Sequence, residues 1–133
     1  MSRHRILTKC GPHVIYQLKR FEVDPTNFNT LHKIKARVQL PNWIRLKTFD
    51  KRKGVQIGNP KYFLSAVVCH LGNNVSEGHY KCYWKNGEHI DNECEWLELN
   101  DQHTRVRKHS DVYDTICTEC YLVLYSQHVD EFL

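Results

Sequence analysis

An almost entirely apolar run near the middle of the chain constrains the fold most. Residues 62–69 read Tyr-Phe-Leu-Ser-Ala-Val-Val-Cys, with neither glycine, proline nor charge, and the run ends at His70. Side chains alternate between the two faces of a strand, so a run that is apolar on both faces predicts a strand covered on both sides. We therefore expect this segment to be the central strand of a sheet.

The rest of the chain predicts more strands around this one. Branched and aromatic residues without internal proline are typical of strands, whereas clusters of polar residues and glycines are typical of loops. Further strands are predicted at 14–21, 34–40, 79–84, 95–99 and 121–125, and loops at 51–60, 71–78 and 102–111. A short helical turn is predicted around 110–116, and residues 43–49 fit no single element. With no repeat or linker visible, the fold class expected is α+β, mainly an antiparallel β-sheet, and residues 1–133 are expected to form one domain or part of a larger one.

Composition excludes several classes of protein. The 133 residues carry a net charge of +4 and 41% hydrophobic residues, enough apolar content for a core. The basic clusters at 51–53 and 105–108 are short and predict solvated loops, so we expect no nucleic-acid partner. No segment is long and apolar enough for a membrane span, and residues 1–9 lack the core of a signal peptide. We expect no membrane partner, a cytoplasmic or nuclear location, and six reduced cysteines.

Two short motifs carry residues suited to catalysis. The sequence Gly78-His79-Tyr80 places a histidine at the start of a predicted strand, with Tyr80 expected to point into packing on the opposite face. Asn100-Asp101 follows another strand at 96–99. An imidazole oriented by an amide or carboxylate can accept the proton of a nucleophile. From these residues alone, a surface histidine and an ordinary Asn-Asp turn remain the commoner explanations.

Six motifs in order resemble the C-terminal half of the catalytic domain of ubiquitin-specific proteases, the papain-like cysteine deubiquitinases. The resemblance covers about residues 10–126 of this chain. The motifs are Leu18-Lys19-Arg20-Phe21, Val38-Gln39-Leu40-Pro41, the strand from Tyr62 to Gly72, Gly78-His79-Tyr80, the box from Trp96 to Asp101, and the strand from Tyr121 to Tyr125.

The resemblance implies an activity and a set of site residues. It implies a deubiquitinase that cleaves isopeptide bonds after the C-terminal glycine of ubiquitin, without a cofactor or metal. His79 would be the general base, Asn100 would orient it, and Asp101 would support the site. Loops 71–78 and 47–61 would border a slot narrow enough to admit only the Gly-Gly end of the substrate tail. The implied substrate-binding residues are His70, Gly72, Glu77, Gly78 and Tyr80.

The chain departs from the family pattern at the nucleophile. The family's Asn-x-Gly-Asn-Thr-Cys box is not found in this sequence. Cys117 and Cys120 form a lone C-x-x-C pair, for which free thiols are a better interpretation than zinc. We therefore expect the N-terminal, cysteine-bearing half of the catalytic domain to be absent and this chain to be inactive alone.

Two alternatives remain beside the enzyme. A non-catalytic relative would keep the sheet as a ubiquitin-binding or scaffold module, whereas a nucleic-acid binder is suggested only by the charge. Partners expected are ubiquitin or ubiquitinated proteins and the missing half of the domain. Without that half, we expect an exposed apolar face, including Trp43, Phe63 and Tyr83, and marginal solubility.

Overall fold

The fold is an antiparallel sheet with one helix, seen in a computed structural model that describes residues 5–73, 77–91 and 93–132. The predicted α+β, mainly antiparallel class is confirmed. The elements are β1 His13–Gln17, β2 Phe21–Asp24, β3 Asn27–Lys33, β4 Trp43–Arg45, β5 Thr48–Phe49, β6 Gln56–Gly58, β7 Lys61–Leu71, β8 His79–Lys85, β9 Glu95–Asn100, β10 His103–Lys108, α1 His109–Glu119 and β11 Cys120–Ser126.

Within the described residues, seven strands form the main sheet in the order β1-β11-β7-β8-β9-β10, with β4 pairing to the start of β7. Two short hairpins, β2–β3 and β5–β6, stand apart from it. The predicted central position is confirmed, because β7 lies between β11 and β8. Its side chains at Tyr62, Leu64, Val67 and Cys69 are fully buried. The predicted cover on both sides is found only in part, since Phe63, Ala66 and Val68 are half-buried.

One face of the sheet is covered by α1. Val112 and Ile116 lie one helical turn apart, so they share the face of the helix that packs on the sheet. Both belong to the hydrophobic core with Val67, Tyr83 and Trp96. The helix ends at Glu119, after which the Cys120 N–H bonds the Ile116 carbonyl and the chain continues directly into β11. The helix is longer than the turn predicted at 110–116.

The opposite face of the sheet is largely uncovered, and we call it the open face. A row of directly paired residues crosses six strands on it, since paired residues of adjacent strands point to the same side. Ile15 and Trp84, in this row, are 66% and 42% exposed. The row consists of Ile15, Leu124, Ala66, Trp84, Leu97 and Val106. The chain thus has an exposed apolar face, as predicted, but made of other residues. Of the three predicted there, Trp43 is exposed, Phe63 is half-buried, and Tyr83 is buried in the core.

The prediction of a strand at 34–40 is wrong, and the single strand predicted at 14–21 is two strands in the structure, β1 and β2. Arg20 is buried, and its guanidinium donates to the carbonyls of Ile34, Ala36, Cys117 and Cys120. The bonds to Ile34 and Ala36 occupy carbonyls that a neighbouring strand would need, and residues 34–40 form no strand. The inward turn at Arg20 also separates β1 from β2.

The loop predicted at 102–111 is also wrong, because it contains β10 and the start of α1. Arg105 and Arg107 donate to the two carboxylate oxygens of buried Glu98 on β9, 3.0 and 3.2 Å away. Burial raises the pKa of Glu98, but hydrogen bonds from Arg105 and Tyr83 outweigh this and leave that pKa below its usual value. A polar segment therefore forms a strand through ion pairs rather than apolar burial.

Smaller differences concern short strands. Residues 51–60, predicted as a loop, contain β6, and residues 27–33, which showed no strand pattern, form β3. Residues 43–49 hold both β4 and β5. No helix in the described parts of the chain is long and apolar enough to cross a membrane.

Candidate active site

The β7–β8 hairpin positions His79. Leu71 pairs with His79 at the end of the two strands next to their connecting loop. Gly72 has φ +136°, and a Cβ there would lie 2.5 Å from the carbonyl oxygen of Glu77, so only glycine fits this turn. The predicted loop 71–78 is described only in part, since residues 74–76 lie outside the described residues.

Pairing of β8 with β9 brings His79 to Asn100. The register places Cys82 opposite Leu99, so His79 and Asn100 lie diagonally across the two strands on the same face. His79 Nε2 is in hydrogen-bond contact with Asn100 Oδ1. The Asp101 carboxylate lies 3.7 Å from the same nitrogen. The structure therefore brings together the three residues predicted as catalytic.

This contact determines which nitrogen of His79 is basic. An amide oxygen only accepts hydrogen bonds, so the contact places the imidazole proton on Nε2. The lone pair is then on Nδ1, on the other side of the ring, where it can accept a proton. The His79 side chain is partly exposed, so Nδ1 can be reached by a group from outside this chain.

The predicted substrate-binding residues divide into two groups. Gly72, Glu77 and Gly78 are exposed. Tyr80 is 48% exposed while its ring also packs against His70, so the packing expected at Tyr80 is found in part. These four lie at the surface of the hairpin that carries His79. His70, in contrast, is 1% exposed. Burial, followed by the charge of Lys33, lowers the pKa of the His70 imidazole, which favours the neutral ring.

The second segment predicted to border the substrate slot, residues 47–61, contains the β5–β6 hairpin. Gly58 pairs with Thr48, and a Cβ on this glycine would lie 2.5 Å from Thr48 Oγ1. Val55 and Ile57 are exposed on the hairpin. This hairpin therefore has a tightly packed base and an apolar surface.

Burial acts against nucleophile activation at four of the six cysteines. All six are free thiols. Burial raises the pKa of Cys69, Cys82, Cys94 and Cys120, the opposite of what a thiolate nucleophile needs. Cys120 Sγ accepts from Arg20 and donates to the Cys117 carbonyl. Across the described ranges, no group of three or more His, Cys, Asp or Glu side chains is suited to hold a metal ion.

Sequence reasoning did not identify three residues that lie near the site, namely Lys33, Glu119 and Phe21. Lys33, buried at the end of β3, donates to the carbonyl of His70 and pairs with Glu119 at the end of α1. Phe21 packs edge-on against the His70 ring, with centroids 5.2 Å apart. Lys33 and Glu119 are far apart in sequence, so no local pattern could have indicated that they pair. Phe21 could have been found, because it is the last residue of the Leu-Lys-Arg-Phe motif.

Comparison with solved structures identifies the class of protein. The chain matches the structure of a SAGA Ubp8/Sgf11/Sus1/Sgf73 DUB module bound to ubiquitin aldehyde, with a TM-score of 0.66 and 26% identity. That match covers 90% of this chain and 25% of the solved chain. The fold is thus that of part of a deubiquitinase.

The family follows from sequence comparison. The family model for ubiquitin carboxyl-terminal hydrolases matches residues 3–125, so this chain belongs to the ubiquitin carboxyl-terminal hydrolase family. It is 30% identical over 114 residues to human ubiquitin carboxyl-terminal hydrolase 42, covering 85% of this chain and 7% of that protein. It is 28% identical over 112 residues to ubiquitin hydrolase B of Dictyostelium discoideum, covering 84% of this chain and 22% of that protein. The predicted family is confirmed, and the chain spans a quarter or less of these relatives.

Proposed function

We propose that this chain is the C-terminal part of a thiol-dependent deubiquitinase domain that cleaves isopeptide bonds after the C-terminal glycine of ubiquitin. The contact of His79 Nε2 with Asn100 Oδ1 carries the proposal, because it makes Nδ1 a general base. The family match supports the reaction, and the ubiquitin aldehyde bound to the SAGA DUB module supports the substrate.

In the proposed mechanism, Nδ1 of His79 accepts the proton of a cysteine supplied by the upstream part of the domain. The thiolate attacks the carbonyl carbon of the last glycine, and the imidazolium gives its proton to the leaving lysine amine. A thioester remains. Nδ1 then takes a proton from water as the water attacks the thioester, and the expelled thiolate recovers that proton. The products are a free lysine amine and a free ubiquitin carboxylate.

Asp101 has a separate role in this mechanism. Its carboxylate lies 3.7 Å from His79 Nε2, too far for a hydrogen bond but close enough to stabilise the charge of the imidazolium. Asn100 orients the ring in both protonation states, whereas Asp101 contributes only when the ring is charged.

The open face is the proposed contact surface for the upstream part of the domain. Its apolar row crosses six strands, and a contiguous exposed apolar patch marks an interaction site. The relatives are at least four times as long as the matched region. Packing of upstream helices on this face would complete the core.

A ubiquitin probe with a thiol-reactive C-terminus tests the proposal. We expect no labelling of this chain alone, but labelling and isopeptide hydrolysis once an upstream half with its cysteine box is supplied. His79→Ala should abolish hydrolysis, whereas His89→Ala, in an exposed part of the β8–β9 connection, should leave it unchanged. If no upstream half restores hydrolysis, the enzymatic proposal fails for this chain.

The raised thiol pKa values favour a second candidate, a non-catalytic ubiquitin-binding or scaffold module. This candidate predicts ubiquitin binding that is the same in wild type and in His79→Ala, and no hydrolysis with any upstream half. Binding measured by calorimetry, together with the hydrolysis assay, separates the two functions.

A further inference from the structure

We infer that His70 is a positioning residue for His79, acting through contact between its buried ring and Gly78 and not through contact with substrate. The inference rests on the proposed function, in which His79 is the base. It assigns the first histidine of the hairpin a different role from direct substrate binding.

The His70 ring is held rigidly on two sides. Phe21 and Tyr80 pack edge-on against it, with ring centroids 5.2 and 5.0 Å away. Its main-chain carbonyl accepts a hydrogen bond from the ammonium of Lys33, which also pairs with Glu119. Strand, helix and hairpin thus converge on one residue at the end of β7.

This rigid ring contacts the residue that precedes the base. A Cβ placed on Gly78 would lie 2.7 Å from His70 Cε1 and would also overlap Nε2. The imidazole therefore occupies the volume that a side chain at Gly78 would need. Because Gly78 is bonded directly to His79, the ring limits where the base can lie relative to Asn100.

Among the described residues, no hydrogen bond to the His70 ring explains why a histidine is buried at this position. Both His70 nitrogens are buried without a hydrogen-bond partner among the described residues. A buried polar ring without partners is unfavourable for stability, so simple core packing would be better served by an apolar side chain. The five-membered ring is smaller than phenyl, and this smaller size permits the close approach of the Gly78 backbone.

The test uses this chain and measures the His79 ring by nitrogen-15 NMR. The readouts are the Nε2–H resonance of His79 and the midpoint of its pH titration, and Asn100→Ala defines the signature of a lost contact. We expect His70→Ala to weaken the Nε2–H resonance and to move the midpoint towards the Asn100→Ala value. His89→Ala should leave both readouts as in wild type. A folded His70→Ala chain with unchanged readouts would overturn the inference.

A second variant probes the same contact from the other side. Gly78→Ala forces a methyl group against the ring, so we expect the same two changes at His79 even if His70→Ala does not fold. If the contact between His70 and Gly78 transmits the effect, the double variant should shift the titration midpoint of His79 by less than the sum of the shifts in the two single variants. Additive shifts would overturn the inference.

Activity of the completed domain separates positioning from substrate binding. A positioning role predicts that His70→Ala lowers kcat and leaves KM unchanged, whereas direct substrate binding predicts a raised KM. A raised KM at unchanged kcat would overturn the inference. If no upstream half restores hydrolysis, the proposed function fails, but the NMR readouts still decide whether His70 positions His79.

Discussion

Asn100 defines the chemical character of His79 at the residue scale. Its oxygen accepts a hydrogen bond from the Nε2–H group, which leaves Nδ1 as the basic nitrogen. An amide carries no charge, so it orients the ring without raising its basicity as strongly as a carboxylate would. In this site the charge is supplied separately by Asp101, 3.7 Å from Nε2.

Replacing Asn100 should therefore affect the rate more than binding. In the completed domain, Asn100→Ala is expected to lower kcat by about 10²-fold, because the imidazole loses its orientation. Steady-state hydrolysis of a ubiquitin–lysine isopeptide measures this, with Gln102→Ala in the neighbouring exposed turn as the control. A kcat equal to wild type in Asn100→Ala would show that another residue orients the ring.

At this scale, the sequence predicted the functional residues that lie within short motifs. His79 and Asn100 lie within short ordered motifs, so their contact could be expected from the sequence. The burial of His70 and its contact with Gly78 could not, because they depend on Phe21 and Lys33, distant in sequence. Such contacts arise only from the packing of separate elements.

At the element scale, the end of β7 is held by an ion pair between β3 and α1. The ammonium of Lys33 is almost fully buried and pairs with Glu119, which is mostly buried, while also donating to the His70 carbonyl. A buried charge that loses its partner is costly, whereas an exposed pair contributes little. The chain offers a matched exposed pair, Arg37 with Asp114.

The two pairs give contrasting predictions. Glu119→Ala should lower the free energy of unfolding by about 3 kcal/mol, because it leaves the Lys33 ammonium buried without its carboxylate. Asp114→Ala should change it by about 0.5 kcal/mol or less. Urea unfolding followed by tryptophan fluorescence measures both. Equal effects of the two substitutions would contradict the argument.

At this scale, the apolar pattern of the sequence predicted several strands correctly. The predictions were wrong where polar contacts decide whether a segment forms a strand. β7, β8, β9 and β11 follow the pattern expected of them. β10 is paired through Arg105 and Arg107 to a buried glutamate, and residues 34–40 are held by the Arg20 guanidinium instead of a neighbouring strand. Local alternation cannot distinguish these cases, because the deciding partners are far away in sequence.

At the scale of the whole molecule, the sheet has one covered face and one open face. α1 covers the first, and the apolar row from Ile15 to Val106 crosses the second. In water an apolar area of this size promotes association. The isolated chain should therefore associate with itself until the upstream part of the domain covers the open face.

Substitutions on the open face test this expectation. Ile15→Lys should decrease self-association in analytical ultracentrifugation with little effect on Tm, since Ile15 is 66% exposed. Trp84→Lys should also decrease self-association but lower Tm, because Trp84 is only 42% exposed and packs against Phe132. Phe28→Lys, on the separate β2–β3 hairpin, is the matched control because Phe28 is 82% exposed but lies outside the sheet face. A monomeric wild-type chain would contradict the expectation.

The sequence by itself determined the family, the central strand and the order of the motifs that bear His79 and Asn100. These properties are encoded locally, in short motifs and in one apolar run. Only the tertiary structure decided that His79 Nε2 meets Asn100, that His70 lies buried against Gly78, and which apolar residues form the open face. The physical reason is strand register, because the alignment of neighbouring strands determines which side chains meet and which face each one occupies.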